Sequence, residues 1–264
     1  MNKSILTTCW LILFFSSCQK VVQLNLNNAA TQIVIQGEVT DERGPYQIII
    51  NQSVGFYADN TFPGVSGATV VLTDDRGDTD SLTERSPGIY ETHFLRGKPG
   101  ITYTLTVLSQ NVKYSAVSTM PQPVYFDSLT LEGTSGFGQE RINAIVNFQD
   151  PPGVKNFYQF TETINHKSFP RNNFVLSDRL SDGKYISTTL RTDSSYIVPG
   201  DTVQVNMFSI DENTYTYFLE LRQSSGSGAF NSTASPANPT TNITGGALGY
   251  FSAHTIQARA IVVN

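Results

Sequence analysis

The segment at residues 101–107 reads ITYTLTV, in which every second residue is apolar and the others are threonine. Alternation with a period of two predicts a strand that buries one face and exposes the other. The whole chain favours such structure, because it contains 29 Thr, 16 Phe and 12 Tyr and only 15% charged residues. These side chains fit pleated, half-buried surfaces. We therefore predict a mostly β fold, and the net charge of −5 argues against a nucleic-acid partner.

Residues 32–120 form the first predicted unit. About seven short apolar runs recur there between Gly- and Pro-bearing turns, and strands at this density predict a β-sandwich. Prolines at positions 121 and 123 make the adjoining chain extended, so we place a domain boundary there. The runs in this unit are at 32–39, 47–51, 68–73, 81–84, 89–94, 101–107 and 113–119.

Residues 124–264 form the second predicted unit, a β-rich domain with one helix at about residues 211–224. Asp211 is a suitable N-cap, and apolar residues follow it at helical spacing until Gly226. The strand patterns of this unit are at 125–132, 141–148, 157–164, 174–176, 185–190, 202–210 and 250–263.

The N-terminus has the composition of a bacterial lipoprotein leader. Lys3 precedes an apolar stretch over residues 5–15, which is too short for a bilayer span of about 20 residues. Two serines directly before Cys18 resemble a lipobox, in which Cys18 is acylated once residues 1–17 are removed. Residues 18–31 then form a tether, and the acyl chains anchor the protein in the membrane. The alternative is an ordinary leader with Cys18 incidental.

The sequence contains no recognisable catalytic or metal-binding pattern. His93, His166 and His254 are far apart, and no Gly-x-Ser-x-Gly elbow or nucleotide-binding loop occurs. We therefore predict no catalytic residue, no metal site and no cofactor, and a chain that is not an enzyme.

Acidic residues at positions 74, 75, 78 and 80 cluster in one predicted turn. Four carboxylates could supply oxygens to a calcium ion, although their spacing does not fit an EF-hand loop. The favoured interpretation is a solvated hairpin tip. The Arg-Gly-Asp tripeptide at 76–78 fits the same turn.

Residues 54–67, VGFYADNTFPGVSG, form what we call the aromatic loop. Phe56, Tyr57 and Phe62 lie among glycine, proline and asparagine residues that oppose a regular strand. Exposed rings of this kind are enriched at binding surfaces, so we predict that they contact a partner. The alternative is that they fold back on the first sandwich. Two further loops are predicted at residues 166–173 and 224–248.

Short stretches spread from about residue 34 to residue 251 together form a recognisable pattern. They are VIQG (34–37), TFPGVSGA (61–68), SPGIY (86–90), TMP (119–121), DRLSDG (178–183), PGDTV (199–203), SID (209–211), PANP (236–239), NI (242–243) and GGALGYF (245–251). Through these stretches the mature chain resembles a family of Bacteroidota outer-membrane lipoproteins, the family of domain of unknown function 4249. The first unit also resembles transthyretin-like, carboxypeptidase-regulatory sandwiches.

The resemblance implies an outer-membrane lipoprotein that works beside a TonB-dependent receptor, and it supplies no catalytic residues. We expect a lipid-anchored accessory or binding protein with a β-barrel receptor as its partner in nutrient uptake. We expect it on the cell surface rather than on the periplasmic face. The alternative is a structural or adhesive surface protein.

Overall fold

A computed structural model describes residues 31–55, 61–136, 139–190, 197–225 and 238–264. The described chain is mostly β, as the alternating patterns predict, and contains one helix and three sheets. The sheets pack face to face as two β-sandwich-like units. The largest sheet has eight strands and runs through both halves of the molecule. A five-stranded sheet faces it in the first half and a three-stranded sheet faces it in the second.

The first sandwich contains eight strands that follow one another in sequence. Tyr103, Leu105 and Val107 of the alternating segment are buried in its core, while their threonine neighbours lie on the other face. The period-two prediction for this segment is therefore confirmed. The strands are β1 (Ile33–Thr40), β2 (Gln47–Gln52), β3 (Thr69–Asp74), β4 (Thr79–Ser81), β5 (Thr83–Ser86), β6 (Ile89–Glu91), β7 (Thr102–Ser109) and β8 (Val112–Thr119).

The second sandwich has its own core, built from large side chains that face inward from both sheets. Phe148 packs edge-on against Tyr158, with ring centroids 4.7 Å apart, and both rings are fully buried. Its strands are β9 (Phe126–Gly136), β10 (Gln139–Gln149), β11 (Phe157–Ile164), β12 (Lys167–Ser177), β13 (Tyr185–Leu190) and β14 (Thr202–Ile210), and the chain ends with β15 (Ile243–Thr244) and β16 (Leu248–Val262).

The last strand joins the two sandwiches. The first half of β16 pairs in parallel with β1, ending at the pair Thr40–His254, and its second half pairs antiparallel with β14 from Thr255 onward. β15 pairs with β8 of the five-stranded sheet. The sequence analysis assigned the end of the chain to the second unit, whereas these pairings add it to both sandwiches. Alternation along a strand indicates its buried face but not its neighbours.

Helix α1 (Glu212–Ser225) begins where the sequence predicts. The Asp211 side chain accepts a hydrogen bond of 2.8 Å from the amide of Thr214, which confirms the N-cap. Tyr217 and Phe218 are buried, and their ring centroids lie 4.9 and 4.8 Å from the centroid of the Tyr250 ring. The helix therefore covers part of the eight-stranded sheet with its aromatic residues.

Two predicted loops differ in the structure. Residues 166–173 were expected to be a loop, but all except the first belong to β12, which pairs with β11 after a tight turn at Asn165 and His166. Both turn residues have positive φ, which asparagine and histidine tolerate better than most residues. Within the long C-terminal loop, the described part contains β15, and residues 226–237 lie outside the description.

Candidate functional site

The aromatic loop leaves β2 and returns beside the same strand. The amide of Val65 donates to the Ile50 oxygen at 2.8 Å, and the amide of Gln52 donates to the Pro63 oxygen at 2.9 Å. These bonds fix the returning arm, and Val65 enters the core. Phe62, next to this arm, keeps 53% of its surface exposed. About half of the Phe62 side chain is therefore accessible at the surface.

The aromatic loop begins beside the point where the chain enters the first sandwich. The amide of Ser53 donates to the Gln32 oxygen at 2.8 Å, and the Gln32 amide donates to the Ser53 hydroxyl at 2.8 Å. The loop and the N-terminal segment consequently leave the sandwich at the same end.

Three residues singled out in the sequence, Cys18, Phe56 and Tyr57, lie outside the described residues. Phe62 is the described member of the predicted partner-binding set. No helix in the described ranges is long and apolar enough to cross a membrane.

The acidic turn between β3 and β4 is a hairpin tip in which Asp74 accepts hydrogen bonds from the turn itself. Asp74 accepts bonds from the Arg76 guanidinium at 2.8 and 3.1 Å and from the amides of Arg76 and Asp78. Burial acts to raise the pKa of Asp74, but these donors outweigh it and hold the pKa below its usual range. Asp80 points elsewhere and bonds to the segment after β6. Protein donors thus engage the carboxylates of Asp74 and Asp80, and Arg76 of the Arg-Gly-Asp tripeptide pairs with Asp74.

A second acidic cluster, which we call the acidic corner, lies where the loops after β10 and β12 meet. Asp150, Asp178 and Asp182 each place a carboxylate oxygen within 4.8 Å of the others. Asp150 and Asp178 are buried, and Asp182 is exposed. Carboxylate oxygens are the ligands that hard divalent cations prefer, so these are the described side chains best placed to hold one.

Protein donors also hold the acidic corner together. The Tyr158 hydroxyl and the Gly183 amide, the latter at 2.9 Å, donate to Asp150. Burial, followed by the hydrogen bond to Asp150, raises the pKa of Tyr158, which therefore remains a donor. The two other carboxylates accept backbone amides at 2.7 Å, Asp178 from Asn156 and Asp182 from Gly153.

An open cavity of about 430 Å³ lies on the outer face of the eight-stranded sheet, bounded by β1, β2 and β16. Its lining includes Gln36, Glu38, Arg43, Gln47 and Tyr250. Tyr250 donates a 2.6 Å hydrogen bond to Glu38. Burial, followed by the nearby Glu38 charge, raises the pKa of Tyr250. Amide, carboxylate and guanidinium groups around one ring suit a polar ligand better than an apolar one.

Comparison with protein families identifies the family of this chain. Residues 19–260 fit the family described as domain of unknown function (DUF4249). The chain belongs to this family. No curated protein matches it.

Several stretches that resemble DUF4249 proteins are places where the backbone packs too closely for a side chain. A Cβ atom on Gly64 would lie 2.1 Å from the Pro87 oxygen, and one on Gly249 would lie 2.0 Å from the Ile35 oxygen. Another stretch that resembles DUF4249 proteins, residues 178–183, contributes Asp178 and Asp182 to the acidic corner. These stretches therefore lie where loops and strands of the DUF4249 chain contact one another closely.

The sequence analysis missed the acidic corner and the Glu38–Tyr250 pair. Asp150 and Asp178 are 28 positions apart, and Glu38 and Tyr250 are 212 apart, so no local spacing connects them. The one available signal was the pair of turn sequences DPPG and DRLSDG, whose aspartates could be recognised only as turn formers.

Proposed function

We propose that this protein is a lipid-anchored accessory protein of the outer membrane, attached through Cys18, that partners a β-barrel receptor of the TonB-dependent type in nutrient uptake. The observation that supports this proposal most is the position of Phe62. Its half-exposed ring lies on the loop that leaves the first sandwich beside Gln32, at the end to which the N-terminal tether connects.

The length of the tether limits how far Phe62 can lie from the membrane anchor. Thirteen residues lie between Cys18 and Gln32, and an extended chain of that length spans at most about 45 Å. An anchor at Cys18 therefore keeps the end of the sandwich that bears Phe62 near the membrane. A partner embedded in the same membrane meets this end first. Aromatic side chains on rigidly based loops are typical anchors of such contacts.

The test compares the wild-type chain with Cys18→Ala, and with Cys9→Ala as the matched control. Cys9 belongs to the predicted leader, so its replacement should leave the mature protein unchanged. Wild type and Cys9→Ala should sediment with outer membranes and co-purify with a β-barrel protein in mild detergent. Cys18→Ala should move to the soluble fraction.

Two results would count against the proposal, and they separate its parts. If Cys18→Ala still sediments with the outer membrane after a salt wash, the anchor is not at Cys18. If the anchored wild type is recovered without any β-barrel protein, the accessory role is wrong even though the anchor is right.

A further inference from the structure

The edge strands of the described sheets are protected against further pairing in all cases but one. Natural proteins protect edges with charged residues, proline, bulges or very short strands. β13, with the sequence YISTTL, has neither a charge nor proline nor glycine, and its register with β10 is unbroken. The protected edges are β4 with Asp80, β5 with Glu84, Arg85 and a bulge, β9 with Asp127 and Glu132, β12 with Lys167 and an irregular register against β11, and the two-residue β15.

The direction of the β13 backbone groups follows from its pairing. The Asp150 amide donates to the Lys184 oxygen at 3.0 Å, in the same register that pairs β13 with β10. Backbone groups of an antiparallel strand point alternately to one side and the other. Tyr185, Ser187 and Thr189 therefore direct their N–H and C=O groups away from β10. No strand pairs with that side among the described residues.

A gap beside this edge opens into the second core. It has a volume of about 130 Å³ and lies between β13 and β12, the outermost strands of the two facing sheets. Phe160, Phe174 and Leu190, all buried, line it together with Thr188, Thr189 and Arg222, whose guanidinium carbon lies 5.1 Å from the centroid of the Phe174 ring. A cavity of about 150 Å³ accepts a benzene-sized group, so this gap has room for one aliphatic side chain.

We propose that the outer edge of β13, which no described strand pairs with, binds an extended segment of another polypeptide by strand addition, and that one aliphatic side chain of that segment enters the gap. Main-chain groups at strand spacing are matched by an extended polypeptide, which supplies donors and acceptors at the same interval. In strand addition the backbone gives affinity, and a pocket for an alternate side chain gives specificity. This surface is separate from the aromatic loop, and the proposal does not rest on the proposed function.

A second copy of this chain is the less suitable occupant. The side chains that β13 directs toward the interior include Ile186 and Leu190, which are buried in the chain's own core. They are therefore not available to fill the gap of a neighbouring copy, whereas a foreign segment can contribute an aliphatic residue.

The test uses fluorescein-labelled threonine peptides, flanked by lysine for solubility, with leucine or alanine at the centre. Binding to the full chain is followed by fluorescence anisotropy. The leucine peptide should bind at least about tenfold more tightly than the alanine peptide, because only leucine fills the gap. Ser187→Pro removes an outward N–H without affecting the ladder to β10, and it should weaken binding at least about tenfold. The matched control Ser187→Ala keeps the N–H and should bind like the wild type.

Thr189→Pro, the second outward position, provides an independent blocking variant if Ser187→Pro lowers the melting temperature. The proposal is overturned if the wild type binds neither peptide, or if both folded proline variants bind like Ser187→Ala. Equal affinity for the leucine and alanine peptides would remove the gap from the proposal. A wild-type dimer in sedimentation that Ser187→Pro converts to monomer would show that the edge pairs with a second copy instead.

Discussion

Ser118 of the first sandwich donates a 2.5 Å hydrogen bond to Asp211, the residue that caps helix α1. The same Ser118 hydroxyl accepts a 2.8 Å hydrogen bond from the amide of Ala253 in β16. Asp211 in turn accepts the amide of Thr214 with its other oxygen. One buried hydroxyl thus connects β8, β16 and the start of the helix.

The hydrogen bond between Ser118 and Asp211 predicts that the two residues are coupled in their effect on stability. Ser118→Ala and Asp211→Ala should each lower the free energy of unfolding by roughly 1 to 3 kcal/mol, because each removes a hydrogen bond that involves a charged group. The double variant should cost less than the sum of the single variants by about 1 kcal/mol or more. Urea unfolding of the four proteins measures this. Strict additivity would mean that the bond contributes nothing to coupling.

Asp80 predicts a sensitivity to acid. Burial acts to raise its pKa, but the amides of Leu95, Phe94 and His93 and the His93 ring outweigh it, and the pKa is lowered. A carboxylate with a lowered pKa contributes stability above its unfolded pKa of about 3.9, and this contribution is lost as the pH falls through the folded pKa. Asp80→Asn should lower the free energy of unfolding by about 2 to 3 kcal/mol at neutral pH. The difference from wild type should shrink below about pH 4, which acid titration of unfolding can follow.

His254 predicts a pH dependence in a different window. Its ring is buried at the point where β16 changes partner, with Nδ1 3.0 Å from the Ser252 hydroxyl. Burial lowers its pKa, and the opposing charges of Glu38, Asp41 and Asp211 do not compensate. The neutral ring therefore contributes stability that is complete above the unfolded pKa of about 6.5 and is lost as the pH falls toward the folded pKa.

The measurement for His254 is the free energy of unfolding between about pH 7 and pH 5. Wild type should lose stability on acidification with a slope of at most about 1.4 kcal/mol per pH unit from this group. His254→Gln should lack that component. An identical slope in both proteins would show that His254 does not titrate on unfolding in this range.

Gly249 predicts a severe steric effect with a matched control nearby. Gly249 has φ of 101° and its absent Cβ would overlap the Ile35 oxygen, whereas Gly246, with φ of 89°, has open space around it. Gly246→Ala should cost about 1 kcal/mol from backbone strain alone, and Gly249→Ala should cost several kcal/mol more. Thermal unfolding compares the two. Equal costs would contradict the close approach of β16 to β1.

The exposure of Phe62 predicts that its replacement affects partner binding but not the stability of the fold. Phe62→Ala should change the free energy of unfolding by no more than about 0.5 kcal/mol, because half of the ring is already exposed. It should nevertheless reduce recovery of the membrane partner. Val65→Ala, three positions away and buried, should cost about 1 to 3 kcal/mol. A Phe62→Ala protein that is clearly destabilised would support the alternative that the ring belongs to the core.

The sequence alone determined the features that depend on near neighbours in the chain. Alternation identified Tyr103, Leu105 and Val107 as core residues, and an aspartate before an amphipathic stretch identified Asp211 as a helix cap. Both follow from local geometry, because side-chain direction repeats with strand or helix period and a cap bonds to amides within its own turn.

Only the tertiary structure decided which distant residues meet. It joined β16 to both sandwiches, brought Asp150 to Asp178 and Asp182, gave Asp211 its second partner in Ser118, and left the outer edge of β13 without a partner among the described strands. Strand partners are selected by the complementarity of whole faces and by the packing of two cores at once, and residues far apart in the chain leave no common period in the sequence.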